Sequence, residues 1–161
     1  MSTDTSLLVR SHEENWLPVL ELAVEEVFEI MVGQRVKPAP KSETIPPGGF
    51  TAMVGIAGAL CGILTVSCDK KTAREIGKCM LGPEITDSEE QVSDALGEVC
   101  NMVAGNFKNK LSSANQSCML SVPTVIKGDE YSYRSLADGE SLETVMLFGD
   151  APLSVCLQLH S

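Results

Sequence analysis

Residues 86–111 read TDSEEQVSDALGEVCNMVAGNFKNKL, and this stretch decides the fold because it predicts one long helix with two different faces. Thr86 followed by Glu89 has the spacing of a capping box, so we expect the helix to begin there and to continue to about Leu111. At about 100° per residue its apolar side chains collect on one side. We expect that side to face the core: Val92, Ala95, Leu96, Val99, Met102 and Val103.

The opposite side of this helix is polar and contains two glycines. Its members share one direction within about 60°: Asp94, Gly97, Glu98, Asn101, Gly105 and Lys108. A glycine inside an exposed helix costs about 1 kcal/mol relative to alanine, so something should compensate for it. One interpretation is that another molecule approaches closely at Gly97 and Gly105. The other is that the polar residues are simply solvated and the glycines pack against a loop of the same chain.

Glu98 and Asn101 are three residues apart and are therefore neighbours on the helix surface. Together they offer a fixed negative charge and a neutral amide that can both donate and accept hydrogen bonds. Such a pair can hold a cation and orient a water molecule.

The chain before this helix begins with a second amphipathic pattern. It predicts a helix from Trp16 to about Val32, capped by Asn15, with Pro18 in its first turn and Gly33 at its end. The proline-rich residues 34–49 then predict an extended edge segment followed by a loop.

Alternating apolar residues predict the strands. Residues 50–56 and 64–68 are predicted to form an antiparallel hairpin with a turn near Gly58, and a short helix capped by Asp69 is predicted over residues 70–81. Three more strands are expected after the long helix, at residues 118–126, 141–148 and 153–160. The fold class is therefore α+β, a single domain over residues 1–161, in which about three helices pack on an antiparallel or mixed sheet.

Composition narrows the function classes. The formal net charge of -10 makes nucleic acid an unexpected partner. The polar start of the chain and the glycine-interrupted apolar stretch at residues 53–66 predict a cytoplasmic protein that does not insert into a membrane. The six cysteines form no CxxC pair and have only two histidines to help them, so we expect no metal site and interpret Cys100 as a small core residue, not a nucleophile.

The motif on the long helix also carries a family resemblance. Asp94, Glu98, Asn101, Gly105 and Asn106 match the pattern DxxxExxNxxxGN, which resembles the signature helix of the CheX/CheC/FliY chemotaxis phosphatases. The order of elements is similar over nearly the whole chain. The opening helix has glutamates but no following asparagine, so the chain carries one copy of the motif and is most similar to the CheX branch.

This resemblance implies a phosphatase that acts on the aspartyl phosphate of a CheY-type response regulator. Asn101 would orient the attacking water and Glu98 would pair with the regulator's active-site lysine, and positioning of this kind suffices for phosphoryl transfer. The chain would need no cofactor of its own, because the regulator would supply Mg²⁺. The family also implies a homodimer.

Other residues of the motif have supporting roles in this interpretation. Asp94, Gly97 and Gly105 would contact the partner, although Asp94 could instead cap local structure. Asn106 lies towards the core side and is expected to satisfy buried backbone groups. The main alternative is a regulatory module of the same fold that docks on a regulator or another chemotaxis or flagellar component without catalysis. An enzyme of unrelated chemistry is disfavoured because no other catalytic set appears at usable spacing.

Overall fold

The computed structural model of the chain describes residues 5–41, 43, 45, 48–82, 88–111, 118–132 and 139–160, and of residues 5–15 only the backbone. These residues form three α-helices and one seven-stranded antiparallel sheet, which confirms the predicted α+β class. The elements in chain order are α1 Thr5–Val27 with a π-helical segment Phe28–Val32, β1 Val36–Pro38, β2 Gly49–Ala57, β3 Gly62–Cys68, α2 Lys70–Leu81, α3 Glu89–Lys110, β4 Met119–Leu120, β5 Thr124–Gly128, β6 Ser141–Phe148 and β7 Ala151–Leu159.

The sheet runs in the order β1, β6, β7, β3, β2, and both β4 and β5 pair with the outer side of β2. The predicted hairpin of β2 and β3 is confirmed, with Ala52 opposite Val66 and Val54 opposite Leu64. The predicted edge segment is also confirmed as β1, whose three residues pair with the end of β6. Its Pro38 suits an edge, because proline cannot donate to a strand on its other side.

The core lies between one face of the sheet and the helices. Alternate strand residues point into it, as the two-residue period of a strand requires. The register aligns them across the central strands, so that Val66 is opposite Val155 and Leu64 is opposite Leu157, and all four are fully buried. Helix residues such as Leu20, Ile76 and Leu96 pack against these strand residues in the same cluster.

Helix α1 differs from its prediction at the N-terminal end. It begins at Thr5, so Asn15 lies inside the helix and is not its cap, and Pro18 is an interior residue. The sequence pattern was wrong here because the amphipathic stripe begins only near Trp16, whereas a helix that is already anchored extends through polar residues at little cost. The predicted end is confirmed, since Gly33 has a left-handed backbone with φ 75° and donates to the carbonyl of Phe28.

The starts of the other two helices are set by side-chain caps. Asp69 caps α2 as predicted, and its Oδ1 accepts from the backbone N–H of Thr72 at 2.7 Å. Helix α3 begins at Glu89, and its cap is Ser88, whose Oγ accepts from the N–H of Gln91 at 3.4 Å. The predicted capping box was therefore wrong, since it requires Glu89 to be the third helical residue and Glu89 is the first. Thr86 itself lies outside the described residues.

The strand predicted at residues 118–126 is two strands, β4 and β5, separated by residues 121–123. Pro123 has no N–H to continue the ladder, which explains the break. Ser121 keeps the segment attached to β2 through its own N–H to the carbonyl of Gly55 and through its Oγ, which accepts from the N–H of Gly55 at 2.8 Å. We call residues 121–123 the β4–β5 connection.

None of the helices among the described residues has the length and apolar character needed to cross a membrane.

Candidate functional site

Helix α3 lies across the central strands, with α1 and α2 as its neighbours. Cys100 marks the side of the helix that faces the sheet, because its thiol donates to the carbonyl oxygens of Ala52 at 3.6 Å and Leu64 at 3.5 Å. Burial raises the pKa of the Cys100 thiol to about 12. A thiol that stays protonated is a poor nucleophile, so Cys100 acts as the small core residue that the sequence predicted.

Most of the predicted core side of α3 is confirmed. Five of its six members are buried: Val92, Ala95, Leu96, Val99 and Val103. The prediction was wrong for Met102, which is 37% exposed. Since Cys100 points at the sheet, Met102 lies about 200° further round the helix and points away from it. Ala104 and Phe107, which are fully buried, belong to the core side instead.

The polar side of α3 carries the predicted site residues on successive turns. Asp94 and Glu98 are exposed, and Asn101, one turn beyond Glu98, is half-buried. Spacings of three and four residues place side chains next to each other on a helix, so the fold brings these three together on one open face. The carboxylate of Glu98 and the amide of Asn101 can thus meet the same bound molecule.

The two glycines of this face have different surroundings. Gly97 is buried: a Cβ atom there would lie 3.4 Å from Cβ of Pro123 and 3.5 Å from Cγ2 of Val125. The expectation that Gly97 forms an open step for a partner was therefore wrong, because the β4–β5 connection of the same chain already lies against it. At Gly105 a Cβ would meet only Cδ1 of Leu120, at 3.8 Å, so this position is open.

Asn106 joins α3 to α1. Its Nδ2 donates to the backbone carbonyl of Ala23 at 3.3 Å and to Oε2 of Glu26 at 2.9 Å. Glu26 also accepts from Nζ of Lys110 at 2.9 Å. Hydrogen bonds from Lys110 and from Asn106 hold the pKa of the Glu26 carboxyl below its usual value. This confirms that Asn106 satisfies a backbone group, and it explains the last position of the motif as structural.

A cleft of about 350 Å³ opens beside Asn101, between the end of α1 and the C-terminal half of α3. We call it the α1–α3 cleft. Its walls include exposed apolar residues that the sequence does not predict as a group, because they come from separate elements and show no common pattern. The lining residues are Glu26, Val27, Ile30, Met31, Asn101, Met102, Gly105, Asn106, Asn109 and Leu120.

The described parts of the chain contain no group of three or more His, Cys, Asp or Glu side chains that could hold a metal ion. What the exposed face of α3 offers is a carboxylate and a carboxamide at fixed spacing. Such a pair can form an ion pair with a cationic side chain and orient a water molecule for attack on a bound group.

Solved structures of CheX- and CheC-like chemotaxis proteins share this fold, so the chain has the fold of the CheC-like class. Residues 50–147 match the family model of the chemotaxis phosphatase CheX. The chain belongs to the CheX family.

Relatives of known identity agree with this assignment. The CheY-P phosphatase CheX of Thermotoga maritima is 30% identical over 100 residues, which are 62% of this chain and 64% of that protein. The crystal structure of CheX from Desulfovibrio desulfuricans has a TM-score of 0.79 at 26% identity and covers 91% of this chain and 99% of its own. The CheX–CheY–BeF3–Mg²⁺ complex of Borrelia burgdorferi shares the fold, with a TM-score of 0.68 at 22% identity over 91% of this chain and 98% of that chain.

Proposed function

We propose that this protein removes phosphate from the aspartyl phosphate of a CheY-type response regulator. The observation that carries the proposal is the placement of Glu98 and Asn101 on consecutive turns of α3, on the open face of a CheX-family fold. The Thermotoga maritima relative is a CheY-P phosphatase, and the Borrelia burgdorferi CheX forms a complex with CheY, BeF3 and Mg²⁺. Both support the same substrate class here.

The chemistry that we propose needs little from this chain. The amide of Asn101 accepts a hydrogen bond from a water molecule and holds it in line with the phosphorus. The water oxygen forms a new P–O bond, the bond between phosphorus and the aspartyl oxygen breaks, and inorganic phosphate and the free carboxylate are released. An amide is too weak a base to take a water proton, so the protons of the water leave with the phosphate. Asn101 acts by positioning, which together with electrostatic stabilisation is the main source of catalysis in phosphoryl transfer.

Glu98 has the complementary role of fixing the register. Its exposed carboxylate is proposed to form an ion pair with the active-site lysine of the regulator, one helical turn from Asn101. The regulator is proposed to supply Mg²⁺, which neutralises charge on the phosphoryl oxygens, and the chain needs no cofactor of its own. Asp94 and Gly105 are proposed to contact the regulator on either side of the pair.

Two further properties belong to the proposal through the family resemblance. The first is a cytoplasmic location, where response regulators act. The second is a homodimer formed through the sheets. β1 pairs with residues 146–148 of the eight-residue β6, and Ala39 donates to the carbonyl of Val145, so a second chain is proposed to pair with the earlier residues of this edge. Sedimentation equilibrium of the purified chain tests the dimer directly, and a single species with the mass of one chain would contradict it.

The test of the activity is the rate at which phosphate is lost from a panel of the host's phosphorylated regulators, with catalytic amounts of this protein. We expect acceleration for at least one regulator, and we expect Asn101→Ala to abolish it while that variant still binds the same regulator in its BeF3–Mg²⁺ form. If no regulator loses phosphate faster, the phosphatase proposal is wrong; binding without turnover would then identify a docking module.

A further inference from the structure

We infer that the α1–α3 cleft is a specificity subsite that receives an apolar side chain of the response regulator, close to its phosphorylated aspartate. The inference rests on the proposed function, because it takes Asn101 as the residue that meets the phosphoryl group. It extends that function by naming a second point of contact and the chemistry that this contact selects.

The first support is continuity between the cleft and the catalytic pair. Asn101 lines the cleft, and the cleft continues through Met102 and Gly105 on the next turn of α3. Residues four apart on a helix have Cβ positions about 6 Å apart. A protein large enough to present a phosphorylated aspartate to Asn101 therefore also covers the mouth of the cleft.

The second support is Gly105. This glycine has no left-handed backbone, and a Cβ there would meet only Leu120 Cδ1 at 3.8 Å, so neither the helix nor its neighbours require it. Alanine would give a more stable helix at this position. The missing side chain instead keeps the cleft open beside Asn101, which is what a partner side chain needs in order to enter.

The third support is the apolar wall opposite Gly105. Ile30 is 79% exposed and Met31 lies beside it, and both belong to the π-helical segment that ends α1. The wider π-helical turn displaces these residues from the positions that a regular α-helix would give them, and such segments often occur at functional sites. With Met102 and Leu120 they form a surface that gains from burial against another apolar group.

Two polar residues of the lining, Glu26 and Asn106, are already hydrogen-bonded within the chain, which argues against a charged occupant. The two carboxylate oxygens of Glu26 already accept from Asn106 and Lys110, and Asn106 is also engaged with the carbonyl of Ala23. A volume of about 350 Å³ is large enough for a side chain of the regulator. An aliphatic or aromatic side chain of the regulator is thus the occupant that this lining selects.

The test compares four variants in steady-state dephosphorylation of whichever regulator the panel experiment selects. Gly105→Leu fills the cleft, and Ile30→Ser makes its wall polar; we expect each to raise KM roughly tenfold and to change kcat less than about twofold, because Asn101 is retained. Leu22→Ser is the matched control, since Leu22 is an exposed apolar residue of the same helix that does not line the cleft. Gly105→Ala stabilises the helix but leaves most of the cleft unfilled, so it separates these two effects.

The outcomes distinguish this inference from the proposed function. If the wild type is active but Gly105→Leu and Ile30→Ser keep its KM, the subsite is wrong and the phosphatase stands. If no regulator is dephosphorylated, the same variants are compared by the Kd for a BeF3–Mg²⁺ regulator, where a roughly tenfold weakening relative to Leu22→Ser supports the subsite. An unchanged Kd, or the absence of binding to any regulator, overturns it.

Discussion

Asn106 of α3 donates to Glu26 of α1 at 2.9 Å, so the last residue of the signature motif holds the two longest helices together. The same amide reaches the backbone carbonyl of Ala23. This arrangement divides the motif into residues that face outward and one residue that faces the fold. Asn101 and Asn106 therefore have different roles on the same helix: Asn101 lies on the open face, and Asn106 bonds α1.

Replacing Asn106 with alanine should therefore lower stability without removing activity. The loss of two hydrogen bonds from a half-buried amide should reduce the free energy of unfolding by about 1–2 kcal/mol, as measured by urea denaturation. Asn101→Ala is the matched control and should change stability by less than about 0.5 kcal/mol, because its amide lies on the open face. A folded Asn106→Ala protein that has lost kcat would contradict this division of roles.

The two glycines of α3 should respond differently to a larger side chain. At Gly97 a leucine would push against Pro123 and Val125, so we expect the free energy of unfolding to fall by about 1–3 kcal/mol. At Gly105 leucine should leave stability unchanged or raise it, since the position is open and leucine favours a helix. Thermal unfolding of both variants in parallel measures the contrast. Equal destabilisation would show that Gly105 is also required by the fold.

The contacts of Glu26 with Asn106 and Lys110 should make stability depend on pH. The pKa of Glu26 is lowered in the folded state, first by the hydrogen bond from Lys110 and then by that from Asn106. A carboxyl whose pKa is lowered by folding stabilises the protein at pH values above its usual pKa of 4.5. This contribution to stability disappears as the pH falls through the pKa of the folded state. The difference in stability between wild type and Glu26→Gln should therefore be present at pH 7 and shrink below about pH 4.5. A difference that stays constant down to pH 3 would argue against this.

Thiol reactivity should follow burial. Cys79 is exposed on α2, whereas burial raises the pKa of both Cys68 and Cys100 to about 12. Brief treatment of the native protein with iodoacetamide should therefore modify Cys79 and spare the other two, which react only after unfolding; peptide mass spectrometry locates the label. Cys100→Ala should keep the proposed phosphatase activity, and rapid labelling of Cys100 in the native state would contradict its placement in the core.

The sequence predicted those parts of the fold that depend on local periodicity. The β2–β3 hairpin, the Asp69 cap and the Gly33 stop were all correct, because each follows from residues close together in the chain. The start of α1 and the cap of α3 were missed, since polar residues before an amphipathic stripe do not mark where a helix begins. The break between β4 and β5 could have been inferred from Pro123.

For the site, the helical wheel placed Glu98 and Asn101 correctly on the open face but could not distinguish Gly97 from Gly105. A wheel describes directions around one helix, and it contains no information on which neighbour occupies each direction. The β4–β5 connection covers Gly97, and the end of α1 stands beside Gly105. The α1–α3 cleft exists only through that tertiary arrangement, so no segment of the sequence could show it.

The covering of Gly97 also affects how a partner can arrive. Among the described residues, the β4–β5 connection lies against α3 at Gly97, and the end of α1 lies across the cleft from Asn101. For the proposed regulator, neighbours on both sides of α3 would restrict the orientations that allow contact, which would reduce the fraction of productive collisions and slow association. In return, a regulator bound between these neighbours would have little rotational freedom left, so the amide of Asn101 would meet its target in nearly the same orientation at every encounter.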